Sequence, residues 1–290
     1  MRFALAFVFI GGFARAAEPL TEFRPSALRS QYGTVTQVDF ATPLIELEAD
    51  VLAHHMPRAM MNFRFAEPVW VVAYETELVD AKGRAPRENL LCHTFFGDQR
   101  VMQSENQEIR GLYSDAFTPE MKLPDGFGVH MAAEETLHWM PMFNNRGAEP
   151  FRVRMKVRLS VIRDQDATKP LRPLYSTLRS VQVPHIYFVK PGRDERGADF
   201  RFPHDARIHF MGTHLHPYGV SVELTNLTRP QQRVWRGERR TDGSGYMGTF
   251  SSADGVPVRA GDTYRVSAVY DNPNQAPIDA MAGIYILYSR

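Results

Sequence analysis

Two histidines one residue apart, His214 and His216, are the residues best spaced for chemistry in this chain. They lie in residues 208–224, which are apolar and β-branched enough to form strands. Side chains alternate across a strand, so both imidazoles are expected on one face with Leu215 on the other. Such a pair suits copper, zinc, nickel or iron almost equally, and the alternative without a metal is two hydrogen-bonded or solvated imidazoles. Met281 is the second candidate. On the same period of two, Met281, Gly283 and Tyr285 share one face of the run 279–288, with Ile284 and Ile286 on the other. A methionine beside small residues at the start of a strand can bring a thioether to a metal, although methionine is more often core filler. Two imidazoles and a thioether would suit copper, because the soft sulfur favours Cu(I) and three ligands leave an open position.

The elements that must position these residues read as β throughout. Short alternating or apolar runs such as residues 69–78, 151–162, 181–189, 208–214, 220–227, 264–270 and 284–288 are separated by turn signals at 80–83, 190–192 and 271–273. Few segments have a helical period, so the expected fold class is all-β, with two antiparallel, jelly-roll-like β-sandwich domains rather than βαβ units. The charged, glycine-containing stretch 191–197 is the expected seam, giving an N-terminal domain of residues 18–189 and a copper-binding C-terminal domain of residues 190–290.

Together the HxH and Met281 segments resemble the C-terminal half of the copper type II, ascorbate-dependent monooxygenases, the family of peptidylglycine α-hydroxylating monooxygenase and dopamine β-hydroxylase. The chain looks like a divergent, bacterial-type member. The resemblance extends through Phe188-Val189-Lys190-Pro191-Gly192, the strand 207–212, Tyr285-Ile286-Leu287-Tyr288 and, in the first half, Leu123-Pro124-Asp125-Gly126-Phe127-Gly128. It implies that His214, His216 and Met281 hold an oxygen-activating copper, that Tyr285 lines the catalytic pocket, and that ascorbate or another reductant supplies electrons. It further implies a second, electron-transferring copper in the first domain. The matching positions there are Cys92, His93 and Met142, where the family has three histidines. Cysteine and methionine are soft ligands that would hold Cu(I) and resist cycling, and both also serve as packing residues. Gly212 and Gly283 stand where the peptidylglycine enzymes anchor a peptide carboxylate, which argues against a glycine-extended peptide as substrate.

Other clusters carry less. His54-His55-Met56 has adjacent histidines, which on a regular strand face opposite ways and could converge only through a bulge or turn. His214, His216 and Glu223 have a faintly cupin-like spacing without the rest of that pattern. Glu134-Glu135 and Arg236–Arg240 read as solvated charge, and no Gly-x-Ser-x-Gly elbow marks a hydrolase.

Residues 1–17 place Arg2 before an apolar run and end in small residues, the pattern of a cleaved secretory signal, so a periplasmic or secreted location is expected. Removing Arg2 and Arg15 takes the formal charge from +1 to −1, leaving no basic field for nucleic acid or anionic lipid. No membrane insertion is expected after cleavage. With Cys92 the single cysteine, no intramolecular disulfide can form. The expected protein is thus an exported copper-dependent monooxygenase hydroxylating a C–H bond of a small-molecule substrate. Its alternative is a non-catalytic copper-binding or copper-handling protein with a copper donor or acceptor protein as partner.

Overall fold

Along the strand Phe151–Arg163, Val153, Met155, Val157 and Leu159 are buried while Arg152, Arg154, Lys156 and Arg158 between them are exposed. This period of two makes one face of a sheet apolar and forces it against a second sheet. The chain does so twice, giving two antiparallel β-sandwiches and, among the described residues, no α-helix. The computed structural model describes residues 17–50, 60–86, 90–98, 109–115, 118–229, 232–239 and 247–290. The apolar leader run and His54-His55-Met56 lie outside the described residues.

In the first sandwich, one sheet runs Arg172–Pro173, Phe127–Met131, Val69–Asp80, Phe151–Arg163, Thr36–Ala41 and Arg24–Pro25. The facing sheet runs Glu18–Leu20, Met61–Phe65, Leu137–Phe143, Leu91–Asp98 and Gly111–Asp115. Phe63, Phe65, Phe96, Trp139 and Phe143, all buried, come from the inner face of that second sheet. In the second sandwich, one sheet runs Tyr175–Ser180, Ile278–Ser289, Ala206–Leu215 and Phe250–Val258, with Ile186–Val189 also paired to Ile278–Ser289. The other runs Gly192–Phe200, Tyr264–Asn272, Gly219–Asn226 and Gln232–Glu238.

One sheet of each sandwich, that containing Leu91–Asp98 and that containing Ile278–Ser289, meets the other at the junction, and these are the two middle sheets. On Ile278–Ser289, Ile284, Ile286 and Tyr288 pack into the second core, whereas Tyr285 and Leu287 on the opposite face join the first. Phe210 does the same from Ala206–Leu215. Tyr113 of the first sandwich stacks on Tyr285 with ring centroids 5.2 Å apart, and the Tyr285 hydroxyl donates to the Gly111 carbonyl at 2.6 Å. Much of the seam is therefore shared core with buried polar contacts.

His209 shows how a local irregularity serves that seam. Ile208 pairs with Tyr288 and Phe210 with Leu287, so His209 is an extra residue in its strand, a β-bulge. Its fully buried ring lies 4.1 Å from the Phe127 ring of the first sandwich, centroid to centroid. Nδ1–H donates to the Ser252 carbonyl and Nε2 accepts from the Ser289 hydroxyl, both at 2.9 Å, an arrangement that fits the neutral ring. Burial, together with the charges of Arg172 and Arg207, holds its pKa below the ordinary value. The unfolded chain then binds the proton more tightly, so this contribution is complete above about pH 6.5 and is lost as pH falls below it. His209→Gln, which cannot titrate, should lose less stability than the native chain between pH 7.5 and 5.5 in urea unfolding, even if it is weaker at pH 7.5. An equal loss in both would show that His209 does not set the acid limb.

Candidate metal centre

The centre is built at a second bulge. Met142 pairs with His93 and Phe143 with Leu91, which leaves Cys92 without a partner opposite it. A regular strand would send Cys92 and His93 to opposite faces, yet Sγ of Cys92 lies 3.2 Å from Nδ1 of His93. From the facing sheet, His214 and His216 leave the same side of Ala206–Leu215 and its continuation, with His214 opposite Gly283. Their Nε2 atoms lie 3.6 Å and 3.7 Å from the same sulfur. Cys92, His214 and His216 are all buried, and their ligand atoms lie within 4.8 Å of one another.

The two sulfur–nitrogen separations are what a shared ion requires. Metal–sulfur and metal–nitrogen bonds of about 2.3 Å and 2.0–2.1 Å at a tetrahedral angle put sulfur and nitrogen roughly 3.6 Å apart. The far side of each imidazole faces a carboxylate. Nδ1 of His216 is 2.8 Å from Oδ2 of Asp279, which in turn accepts from Arg146 at 3.0 Å. Nδ1 of His214 is 3.7 Å from Oδ2 of Asp115, an electrostatic contact beyond hydrogen-bond length. Asp115 is itself fixed by the Tyr113 hydroxyl at 3.2 Å and the Thr118 amide at 2.8 Å. A carboxylate at Nδ1 turns Nε2 toward the ion and sharpens its basicity, the usual outer partner of a metal-bound histidine.

The electrostatics follow from burial working against pairing. Burial would raise the Cys92 thiol, but His93 and His214 outweigh it and hold its pKa well below the ordinary value. Burial would lower His214, but Cys92 and Asp115 outweigh it and carry the imidazole up to about 10. His216 is raised for the same kind of reason, by Asp279 and Cys92 against burial. Asp279, which burial alone would raise, is held down at about 2 by His216 and Arg146. One thiolate and two carboxylates thus face the guanidinium of Arg146, while that of Arg239 donates to the His216 carbonyl at 3.2 Å, which leaves negative charge in excess. Imidazolium protons offset it, and so would a divalent cation with neutral imidazoles.

The residues singled out from sequence fall into two groups. Cys92, His214 and His216 come together, with His93 against them, its ring centroid 4.8 Å from that of His214. Met281, Met142 and Tyr285 line a cavity of about 260 Å³ beside them, which His93 also lines. Met281 shares the His214 face through Gly283, and its carbonyl accepts from the His216 amide at 3.2 Å. Glu223 is elsewhere, paired with Arg233 and Arg236, which removes the cupin-like grouping. Glu134 and Glu135 are taken up by Arg64 and Arg110. Sequence reasoning missed Asp115, Asp279 and Arg146. Of these only Asp279 left a trace, two residues before Met281 and so on the same strand face.

No family model matches the chain, and no curated protein matches it. Solved structures that match include viral capsid jelly-roll proteins. The STIV MCP matches at 8% identity and TM-score 0.38, over 89% of this chain and 96% of that one. PBCV-1 VP54, fitted into the virophage Sputnik, matches at 10% identity and TM-score 0.33, over 91% and 95%. A structure from Sulfolobus Turreted Icosahedral Virus matches at 8% identity and TM-score 0.23, over 87% and 60%. Likenesses this distant say nothing of what the chain does.

The expected membership of the copper monooxygenase family is corrected: no family model and no curated protein matches, and the matching structures named above are viral capsid proteins. The copper-dependent monooxygenase and the non-catalytic copper-binding or copper-handling protein fall with it. The geometry supplies a physical reason. The two-copper scheme needs separate ligand sets in the two domains, but Cys92 and His93, assigned to the first, lie against His214 of the second. Among the described residues they form one cluster across the seam, with a cavity of about 260 Å³ beside it.

The bond from Tyr285 to Gly111 crosses that same seam and can be tested alone. Tyr285→Phe strands a buried carbonyl and should cost about 1–2 kcal/mol in urea unfolding. A change within error would mean that water replaces the hydroxyl and the layers are looser than described.

Proposed function

We propose that the chain is a metal-binding protein in which Cys92 of the first sandwich and His214 and His216 of the second hold one zinc ion that ties the sandwiches together. The observation carrying this reading is the pair of Sγ–Nε2 distances, 3.6 Å and 3.7 Å, spanning two different sheets. One thiolate and two imidazoles with an open fourth position form a donor set that zinc accepts, and the excess of negative charge around it favours a divalent ion. Three protein donors leave one tetrahedral position for water or for His93, whose Nδ1 already lies 3.2 Å from the sulfur. Asp279 and Asp115 hold the imidazoles in place, and Arg146 keeps Asp279 ionised. The leader-like residues 1–17 support a periplasmic or secreted setting, in which a chain with one cysteine has no disulfide to rely on.

Metal analysis of the purified full chain, followed by zinc titration of the chelator-treated protein, tests this. One zinc per chain is expected, with a melting midpoint that rises on loading. Cys92→Ser and His216→Gln should abolish stoichiometric binding, and Asp279→Asn should weaken it roughly 10–100-fold while the fold persists. A folded native chain that takes up no zinc, or one that takes up only copper, overturns the proposal.

A further inference from the structure

The cavity beside the cluster has a lining that does not follow from metal binding. It lies between the two middle sheets, with Met140 and Met142 from one and Leu178, Met281 and Tyr285 from the other. Its described lining residues include no carboxylate, lysine or arginine. Its polar rings are His93, held against Cys92, and His185, whose Nδ1 is 2.7 Å from the Ser180 hydroxyl. Tyr285 and Ser176 spend their hydroxyls on the carbonyls of Gly111 and Ile109. Met140, Ile109 and Tyr285 are buried, whereas Met142, His185, Ile186 and Met281 are half-buried, so the space has a floor and a more exposed side.

We propose that this cavity binds a small uncharged aromatic molecule about the size of two fused rings. A dry cavity of about 150 Å³ is enough to take up benzene, so about 260 Å³ accommodates a bicyclic ring. Three thioethers and the rings of Phe95 and Tyr285 offer polarizable contacts to a flat apolar face. A charged group would be desolvated there without a counter-charge, which excludes carboxylates and phosphates. The imidazoles at its walls can meet a single N–H or O–H group of such a ligand. The site goes beyond the zinc reading and stands without the ion.

The test is titration of the full-length chain with fluoroindole, followed by fluorine NMR and calorimetry, on both zinc-loaded and chelator-treated protein. Saturable binding of one molecule per chain is expected in both. Indole-3-acetate should bind at least about tenfold more weakly because its carboxylate finds no partner. Met142→Trp, which fills the cavity, should weaken fluoroindole at least about tenfold with zinc content and melting midpoint retained. Where Met142→Trp does not fold, Leu178→Trp tests the opposite wall. Absence of saturable binding at millimolar probe, equal affinity for indole-3-acetate, or unchanged binding in a folded filled variant overturns the proposal. Because zinc content is read separately, loss of the metal reading leaves this result interpretable.

Discussion

The seam between the sandwiches withdraws a thiol and two carboxylates from water, and their neutralisation governs how the two halves meet. The apolar contacts among Phe95, Tyr113, Phe210 and Tyr285 are non-directional. Charged groups are more exacting. Asp279 must find both His216 and Arg146, and Cys92 must find both imidazoles, because a buried charge left alone costs several kcal/mol. The polar cluster therefore sets the registration that the surrounding aromatic contacts then hold.

Both cluster and seam depend on places where the strands break their own rule. Cys92 and His209 are each the extra residue of a bulge, and each turns a polar side chain toward the other sandwich. Gly255 shows the local consequence at His209. Its φ of +64° and the 2.8 Å that would separate an added Cβ from the imidazole leave room for glycine alone.

How much of this was legible from sequence follows from the same distinction. Alternation in Phe151–Arg163 and turn residues between runs announce two β-sandwiches, because strand period is a local property. It also puts His214 and His216 on one face. Period two cannot announce a bulge, so Cys92 read as a member of a separate first-domain site. Asp115 and Arg146 gain their roles only from the stacking of sheets, which no local pattern encodes. The family resemblance leaned on features with ordinary structural causes. In Leu123-Pro124-Asp125-Gly126-Phe127-Gly128, the Phe127 amide closes a turn on the Pro124 carbonyl, and Gly126 has φ +84° with the Tyr32 hydroxyl 2.7 Å from where a Cβ would stand. A turn with those demands selects its glycine whatever the protein does.

The distance along the chain between the donors has a consequence for the unfolded state. Cys92 and His214 are 122 residues apart, so an ion joining them closes a loop of that length. Cross-links of this span restrict the denatured ensemble by an amount worth about 4–5 kcal/mol when the link is covalent. A coordination bond is weaker and reversible, but it acts on the same entropy. With no second cysteine to pair with Cys92, an ion bound at this cluster would take the place that a disulfide holds in other proteins.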